Sequence, residues 1–170
     1  NGELCLADAS DAAHSSVGDI VREYQAKYQH IVYKKIENKG IAANTNAAAE
    51  LASGEYLALA DHDDILAPHA MYTMGQAIRQ LREAGEPDGF LYSDEALFTK
   101  KIEKPLVAHF KPDYAPDYLL CCNYICHLAV FRRELFEQVG GERPECDGSQ
   151  DHDLFLRLIE QVGGAAHVPQ

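Results

Sequence analysis

The stretch that decides the fold is Tyr56-Leu57-Ala58-Leu59-Ala60, which leads directly into Asp61-His62-Asp63-Asp64. Five uncharged, mostly apolar residues have the length of a buried strand. Pro68 follows at a position typical of the first turn of a helix. The sequence therefore predicts a strand that ends in carboxylates and is followed by a helix.

The same order of elements continues on both sides of this strand. Strands are predicted at residues 4–7, 31–35, 56–60, 90–92 and 125–131, and helices at residues 16–24, 41–52, 68–85, 116–120, 133–139 and 153–162. Such alternation predicts an α/β fold with a mostly parallel central sheet flanked by helices. Ligands of such sheets bind outside the carboxyl ends of the strands. Residues 98–116 contain three prolines and little periodicity, which predicts a long surface excursion.

Composition limits the class of protein. The chain has 170 residues, of which 46% are hydrophobic and 25% charged, as is typical of a single globular domain. Its net charge of −12 argues against a nucleic-acid partner, which would require clustered Lys and Arg. No apolar run approaches the roughly 20 residues that span a bilayer, so no transmembrane segment is expected in this chain. Five cysteines, an odd number, are expected to be reduced thiols in a reducing compartment.

Carboxylates follow three of the predicted strands. Asp8 ends the first, Asp61 and Asp63 follow the third, and Asp94 and Glu95 follow the fourth. Two carboxylates one residue apart can bind one Mg²⁺ or Mn²⁺ ion together with a substrate diphosphate. An acidic turn that caps the next helix would explain the Asp-His-Asp segment equally well. The residues alone leave both interpretations open.

A series of segments resembles one known family along nearly the whole chain. They are residues 3–10, 38–46, 52–56 leading into 61–64, 92–95, 110–113, 123–127 and 148–153. In content and order they resemble the family 2 glycosyltransferases, which have the GT-A fold, and among these the bacterial enzymes that build surface polysaccharides.

The resemblance implies a metal-dependent, inverting glycosyltransferase of the hexosyltransferase type. Such an enzyme moves a sugar from a nucleotide-diphosphate donor to a glycan or lipid-linked acceptor in cell-surface polysaccharide synthesis, with Mn²⁺ or Mg²⁺ as cofactor. It implies one GT-A domain over residues 1–170, with a nucleotide-binding half (1–97) and an acceptor-side half (98–170). The expected location is the cytoplasm, at the inner face of the membrane in a longer protein.

The resemblance also implies roles for individual residues. It assigns the nucleotide sugar to Asp8, Asn38, Gly40, Asn46 and Asp61, the metal to Asp61 and Asp63, the acceptor side to Asp94 and Glu95, and the catalytic base to Asp151. His127 and His152 are left out of the metal shell, because a lone His is more often structural. Two positions depart from the family: Ala9 replaces a second Asp beside Asp8, and Gln150 replaces the Glu that usually precedes the base.

Compared with the family, the chain is predicted to lack the first strand and the C-terminal end. A missing strand would leave an open sheet edge, through which the chain is predicted to self-associate. Two other functions stay open at this stage. One is a module that binds a nucleotide sugar or acceptor without turnover, and the other is a metal-dependent phosphohydrolase.

Overall fold

A computed structural model describes residues 2–14, 16–99 and 106–169. Within these ranges the strands are β1 (Leu4–Asp8), β2 (Ile31–Lys35), β3 (Tyr56–Leu59), β4 (Phe90–Ser93), β5 (Glu95–Leu97), β6 (Val107–His109), β7 (Ala129–Arg132) and β8 (Ala166–Val168). The α-helices are α1 (Ser16–Gln25), α2 (Ile41–Ala49), α3 (Ala70–Ala84), α4 (Pro116–Cys121), α5 (Arg133–Gln138) and α6 (Gln150–Val162).

The largest sheet has four strands in the order β3-β7-β4-β8. Strand β7 runs antiparallel to both β3 and β4, whereas β8 runs parallel to β4. Three of the four strands therefore point the same way, and β1 and β2 form a separate parallel pair. The predicted α/β fold with mostly parallel strands is confirmed, with β7 as the reversed strand.

Strands from both halves of the chain build this sheet. β3 and β4 come from residues 1–97, and β7 and β8 come from residues 98–170. The two predicted halves thus share one hydrophobic core, and their separate roles stay a prediction.

Successive side chains of the central strands point to opposite faces of the sheet, as the period of a strand requires. On one face, the Phe90 ring stacks on Phe131 at 5.8 Å and meets the edge of Phe155 on α6 at 5.3 Å. On the other face, Leu91 packs with Met74 of α3. The sheet is therefore covered by α6 on one side and α3 on the other.

A buried carboxylate joins three neighbouring elements at one end of this sheet. Asp88 accepts hydrogen bonds from Tyr56 Oη at 2.6 Å, Arg82 Nε at 2.6 Å and Arg132 Nη2 at 2.7 Å. Burial alone would raise the pKa of Asp88, but these hydrogen bonds outweigh it and hold that pKa well below its usual range. The network ties α3 to β3 and β7.

The structure differs from the sequence prediction in the strand expected at residues 125–131. Strand β7 begins only at Ala129, and the preceding residues form an irregular segment. The carbonyl oxygens of Ile125 and His127 accept hydrogen bonds from Lys111 Nζ, at 2.6 and 2.7 Å, in place of a neighbouring strand. A lysine therefore takes the place of a strand partner here.

Two smaller differences concern element boundaries. Helix α6 begins three residues earlier than predicted, at Gln150. Within the predicted surface excursion, β6 pairs with β5 as an antiparallel hairpin, and part of that excursion (residues 100–105) lies outside the described residues.

Of the eight strands in the described ranges, only β4 and β7 are paired on both edges, so open edges include those of β1 and β3. β1 pairs with β2 and β3 pairs with β7, and neither has a second neighbour there. Glu3 Oε1 joins the two sheets by accepting hydrogen bonds from the backbone N–H groups of Ser53 (2.6 Å) and Gly54 (2.9 Å). The predicted self-association through an open edge stays a prediction.

Candidate active site at the strand ends

The Asp-His-Asp segment forms a tight turn directly after β3. The N–H of Asp64 donates to the carbonyl oxygen of Asp61 at 3.2 Å, which brings the side chains of these two residues to one side. Candidate ligand atoms of Asp61, Asp64 and His127 all lie within 4.8 Å of one another. His127 Nδ1 is 2.8 Å from Asp64 Oδ2. Asp63 is exposed and does not belong to this group.

Strand pairing explains why His127 reaches this turn. In the antiparallel pair of β3 and β7, Leu59 lies opposite Ala129. Continuing that register by two residues in each direction places residue 61 opposite residue 127. The sequence prediction left His127 out of the metal shell because a lone His is more often structural, and no local spacing connects His127 with Asp61.

Lys111 holds the segment that carries His127, and the sequence prediction gave this lysine no role. Its side chain is only 3% exposed, and its ammonium group also lies 3.4 Å from Glu95 Oε2. Burial lowers the pKa of Lys111, and the negative charge of Glu95 opposes that shift. Its hydrogen bonds to the carbonyls of Ile125 and His127 are therefore donated from a desolvated group.

The predicted catalytic base, Asp151, lies half-buried in the first turn of α6. Its Oδ1 accepts a hydrogen bond from Gln150 Nε2 at 3.0 Å. Burial raises the pKa of Asp151, the proximity of His127 lowers it, and the negative charge of Asp61 raises it. The carboxylate at the start of α6 therefore lies within range of the charges of His127 and Asp61, two members of the Asp61–Asp64–His127 group.

A second buried carboxyl, Glu142, lies close to Asp151. Glu142 is only 2% exposed, and among the described residues its Oε2 has no hydrogen-bond partner. Burial, together with the charges of Asp151, Asp147 and Asp61, raises the pKa of Glu142 to about 7, against an opposing hydrogen bond from Thr45. The sequence analysis missed Glu142, because a Glu after two glycines resembles a solvated turn.

Asn46, predicted to bind the nucleotide, anchors the backbone of Glu142. Its Oδ1 accepts from the Glu142 N–H at 2.8 Å, and its Nδ2 donates to the Glu142 carbonyl oxygen at 2.8 Å. These two bonds connect α2 to the loop that leads into α6. The side chain of Asn46 is therefore directed toward that loop in this structure.

Gly40 and Asn38 shape the start of α2. Asp147 accepts hydrogen bonds from the N–H groups of Ile41 at 3.2 Å and Ala42 at 2.9 Å, and so stabilises the amino end of α2. Gly40 has φ +100, and a Cβ atom there would lie 2.5 Å from Asp147 Oδ2. Asn38 Oδ1 accepts from the Gly40 N–H at 3.2 Å. This segment therefore supports the loop before Asp151.

Asp8 is buried at the end of β1 and has several partners of its own. Its Oδ1 accepts from the Ser10 N–H at 2.9 Å, its Oδ2 accepts from Tyr33 Oη at 2.6 Å, and Lys35 Nζ lies 3.1 Å away. Burial alone would raise the pKa of Asp8, but the hydrogen bonds from Ser10, Tyr33 and Lys35 outweigh it and hold the pKa well below its usual range. Asp8 therefore stays ionised at neutral pH.

The predicted acceptor-side pair is bound to neighbouring elements. Asp94 Oδ1 accepts from the Lys111 N–H at 2.8 Å and lies 2.8 Å from His167 Nε2. Glu95 Oε1 lies 3.1 Å from His109 Nδ1. Through Lys111, this pair is connected to the segment that carries His127.

The other features predicted from the sequence are found as follows. His152 Nε2 lies 2.5 Å from the carbonyl oxygen of Leu119, as suits a structural role. All five cysteines are free. Among the helices that the structure describes, none combines the length and the hydropathy that crossing a membrane requires.

Solved structures with the same architecture identify the fold. S. aureus TarS 1–349 superposes with a TM-score of 0.68 at 16% identity, over 97% of this chain and 48% of that one. A mannosyltransferase, PcManGT from Pyrobaculum calidifontis in complex with GDP-Man and Mn²⁺, superposes with a TM-score of 0.64 at 20% identity, over 99% of this chain and 46% of that one. The fold is that of the GT-A glycosyltransferases.

The amino-acid sequence gives the family. The model of glycosyl transferase family 2 matches residues 4–140, so the chain belongs to that family. The O-antigen biosynthesis protein RfbC of Myxococcus xanthus is 33% identical over 168 residues, which are 98% of this chain and 13% of that protein. The chain thus spans a small part of this relative and about half of either solved chain.

The donor set at the end of β3 fits a divalent cation. Two carboxylates and one imidazole, all partly accessible, are ligands that Mn²⁺ and related ions accept. Their exposure leaves room for the remaining ligands to come from a diphosphate and water.

Proposed function

We propose that the chain carries the catalytic domain of a metal-dependent, inverting hexosyltransferase. The donor is a nucleotide-diphosphate sugar, the acceptor is a glycan or a lipid-linked acceptor, and the reaction contributes to the synthesis of a cell-surface polysaccharide. One arrangement carries the proposal: the half-buried carboxylate of Asp151 lies at the start of α6 within range of the charges of His127 and Asp61, which belong to the group that could hold a cation. A base and a cation site on facing elements are what inverting transfer requires.

Asp151 is the proposed general base. It accepts the proton of the acceptor hydroxyl while that oxygen bonds to the anomeric carbon, and the bond from that carbon to the diphosphate breaks on the opposite face. Burial raises the pKa of Asp151, which makes it a stronger proton acceptor than an exposed Asp. A divalent cation at the end of β3 would neutralise the charge of the departing diphosphate.

The remaining predicted residues take supporting roles in this proposal. Asp8, which stays ionised, would accept hydrogen bonds from the base or ribose, and Asn38, Gly40 and Asn46 would shape the loop beside the nucleotide. In this proposal Asp61 binds both the donor and the cation. The family match and the name of RfbC support polysaccharide synthesis as the process, and the Mn²⁺ in PcManGT supports a divalent cation.

The acceptor side of the proposed site is formed by Asp94 and Glu95, whose contacts with Lys111 connect them to the cation segment. Location at the inner face of the membrane agrees with a lipid-linked acceptor and with free cysteines. The acceptor side and the location at the membrane are both part of the proposal.

Asp151→Asn tests the proposed reaction. Released nucleotide diphosphate is measured for a panel of nucleotide sugars with Mn²⁺, with and without glycan acceptors. A general base contributes about 10²–10⁴-fold to rate, so acceptor transfer is expected to fall by that factor.

The affinity of the same variant for nucleotide diphosphate is expected to stay within a few-fold of wild type, because Asn keeps the size and much of the hydrogen bonding of Asp. Transfer at the wild-type rate would show that Asp151 only stabilises the helix end. Nucleotide binding without turnover on any donor would favour a binding module.

A further inference from the structure

We propose that the aromatic ring of Tyr118, on α4, binds one sugar unit of the acceptor by stacking against the apolar face of that sugar. This assignment rests on the proposed function and adds a binding residue to its acceptor side. The sequence prediction placed only Asp94 and Glu95 there and gave Tyr118 no role.

Tyr118 is the outer end of a row of aromatic rings. Its ring stacks on Tyr124, with the centroids 5.1 Å apart and the two planes inclined by 7°. Tyr124 meets the edge of Tyr92 at 5.9 Å, and Tyr92 stacks on His167 at 5.1 Å. Tyr92 is fully buried, whereas Tyr118 is 50% exposed. One face of the Tyr118 ring therefore lies against the protein, and its opposite face and edge are accessible to a ligand.

Hydrogen bonds hold the inner rings of this row in place. Tyr124 Oη accepts from the Ala115 N–H at 3.0 Å, and Tyr92 Oη donates to the carbonyl oxygen of Pro112 at 2.6 Å. Tyr118 thus packs on a tyrosine that is itself fixed by a ring contact and through its hydroxyl group. A ligand that binds to such an ordered ring loses less conformational entropy than one that must order a free side chain.

The row lies beside the proposed base. His152 Nε2 donates to the carbonyl oxygen of Leu119 at 2.5 Å, and this bond ties α4 to the first turn of α6. Tyr118 precedes Leu119 and Asp151 precedes His152, so the ring and the base are each one residue away from that bond. The base contacts the reacting hydroxyl of the acceptor. A ring this close to the base is in position to bind a neighbouring unit of the same acceptor.

The chemistry of this surface suits a sugar better than a lipid chain. One face of a pyranose ring presents C–H groups, which pack on an aromatic face and remove apolar surface from water. The hydroxyl groups of the sugar can donate hydrogen bonds to a carboxylate such as that of Asp151, which is half-buried nearby. A lipid chain offers no donor to that carboxylate.

The fluorescence of a single indole tests binding without reference to turnover. The chain contains no tryptophan, so Tyr118→Trp introduces one indole at the proposed binding face. Its emission is measured while cellobiose, lactose or N,N′-diacetylchitobiose is added as the probe, and at least one of them is expected to cause a saturable change. Tyr72→Trp, at an exposed tyrosine of α3 on the other side of the sheet, is the control and is expected to show no response.

Acceptor kinetics test the role of the ring in transfer. Tyr118→Leu keeps apolar bulk but has no flat face, and it is expected to raise the KM for the acceptor about 10-fold. Its kcat and its hydrolysis of the donor without acceptor are expected to stay within about two-fold of wild type, because the ring binds the acceptor and takes no part in bond breaking. Tyr118→Phe keeps the ring and is expected to keep the wild-type KM. Thermal unfolding reports the folding of each variant.

The assignment is overturned if no disaccharide changes the emission of Tyr118→Trp, if Tyr72→Trp responds equally, or if Tyr118→Leu keeps the wild-type KM. Weaker binding of Tyr118→Leu to phospholipid vesicles, with the acceptor KM unchanged, would assign the ring to a lipid surface instead. Failure of the proposed function is distinguishable, because it would appear as absent release of nucleotide diphosphate from every donor while the disaccharides still bind at position 118.

Discussion

Replacing Glu142 by Gln is expected to remove a loss of stability that the protein suffers as the pH rises toward neutrality. In the folded chain the carboxyl is 2% exposed, its Oε2 has no partner among the described residues, and its pKa is raised to about 7. In the unfolded chain the carboxyl has its ordinary pKa of about 4.3. The folded state therefore keeps a proton that the unfolded state has already released.

The sign and size of the effect follow from this difference. A group with a raised pKa contributes stability that is fully present below the unfolded value and is lost as the pH rises through the folded value. One pKa unit corresponds to about 1.4 kcal/mol, so a pKa raised to about 7 corresponds to roughly 3 kcal/mol lost between pH 4 and pH 8. Gln does not titrate, so Glu142→Gln should not show this loss.

Urea unfolding followed by circular dichroism at pH 4.5, 6 and 8 measures the effect. The free energy of unfolding of Glu142→Gln minus that of wild type should increase by about 3 kcal/mol over this range. Contributions from other titrating groups, such as Asp8 and Asp88, occur in both proteins and largely cancel. Glu145→Gln, an exposed residue of the same loop, is the control and should change the difference little. A difference that stays constant with pH would refute the argument that burial keeps Glu142 protonated.

Three further predictions concern stability and cation binding. Asp88→Asn should destabilise the protein by about 1.5–3 kcal/mol, because it removes the buried charge to which Arg82 and Arg132 donate hydrogen bonds. In wild type this contribution should be lost as the pH falls below about 4, and denaturant titration at several pH values measures both effects. Gly40→Ala should lower the free energy of unfolding by about 1–3 kcal/mol, because Gly40 has a positive φ and a Cβ there would contact Asp147. Gly75→Ala should stabilise the protein slightly, because Gly75 lies in α3 with open space around it. Equal effects of the two substitutions in thermal unfolding would contradict this prediction. Nucleotide-diphosphate affinity measured by calorimetry should fall in chelator and in Asp61→Asn, and equal binding in chelator would mean that the acidic turn only caps a helix.

The local pattern of the sequence was sufficient for much of the fold. Apolar runs of strand length, helical periodicity and acidic residues after the strands predict the α/β architecture and place Asp61 beyond β3 and Asp151 near the start of α6. These features depend on residues close to one another in the chain, and short-range patterns record them directly.

Strand direction and register lie outside such patterns. That β7 runs against β3 and pairs Ala129 with Leu59 depends on contacts between residues 70 positions apart, and this pairing brings the segment that carries His127 to the turn that carries Asp61. The strand predicted from residue 125 was wrong at its start, because Lys111 binds the carbonyls that a neighbouring strand would otherwise bind.

The environment of Glu142 was decided in the same way by tertiary structure. Asn46, 96 positions earlier, binds its backbone, and Asp151 comes close only once α6 has packed on the sheet. The sequence determined which residues carry charge and which strands and helices form. Long-range packing determines which of those charged groups are desolvated and which lie close to one another. Only the tertiary structure therefore decided the electrostatics of the site.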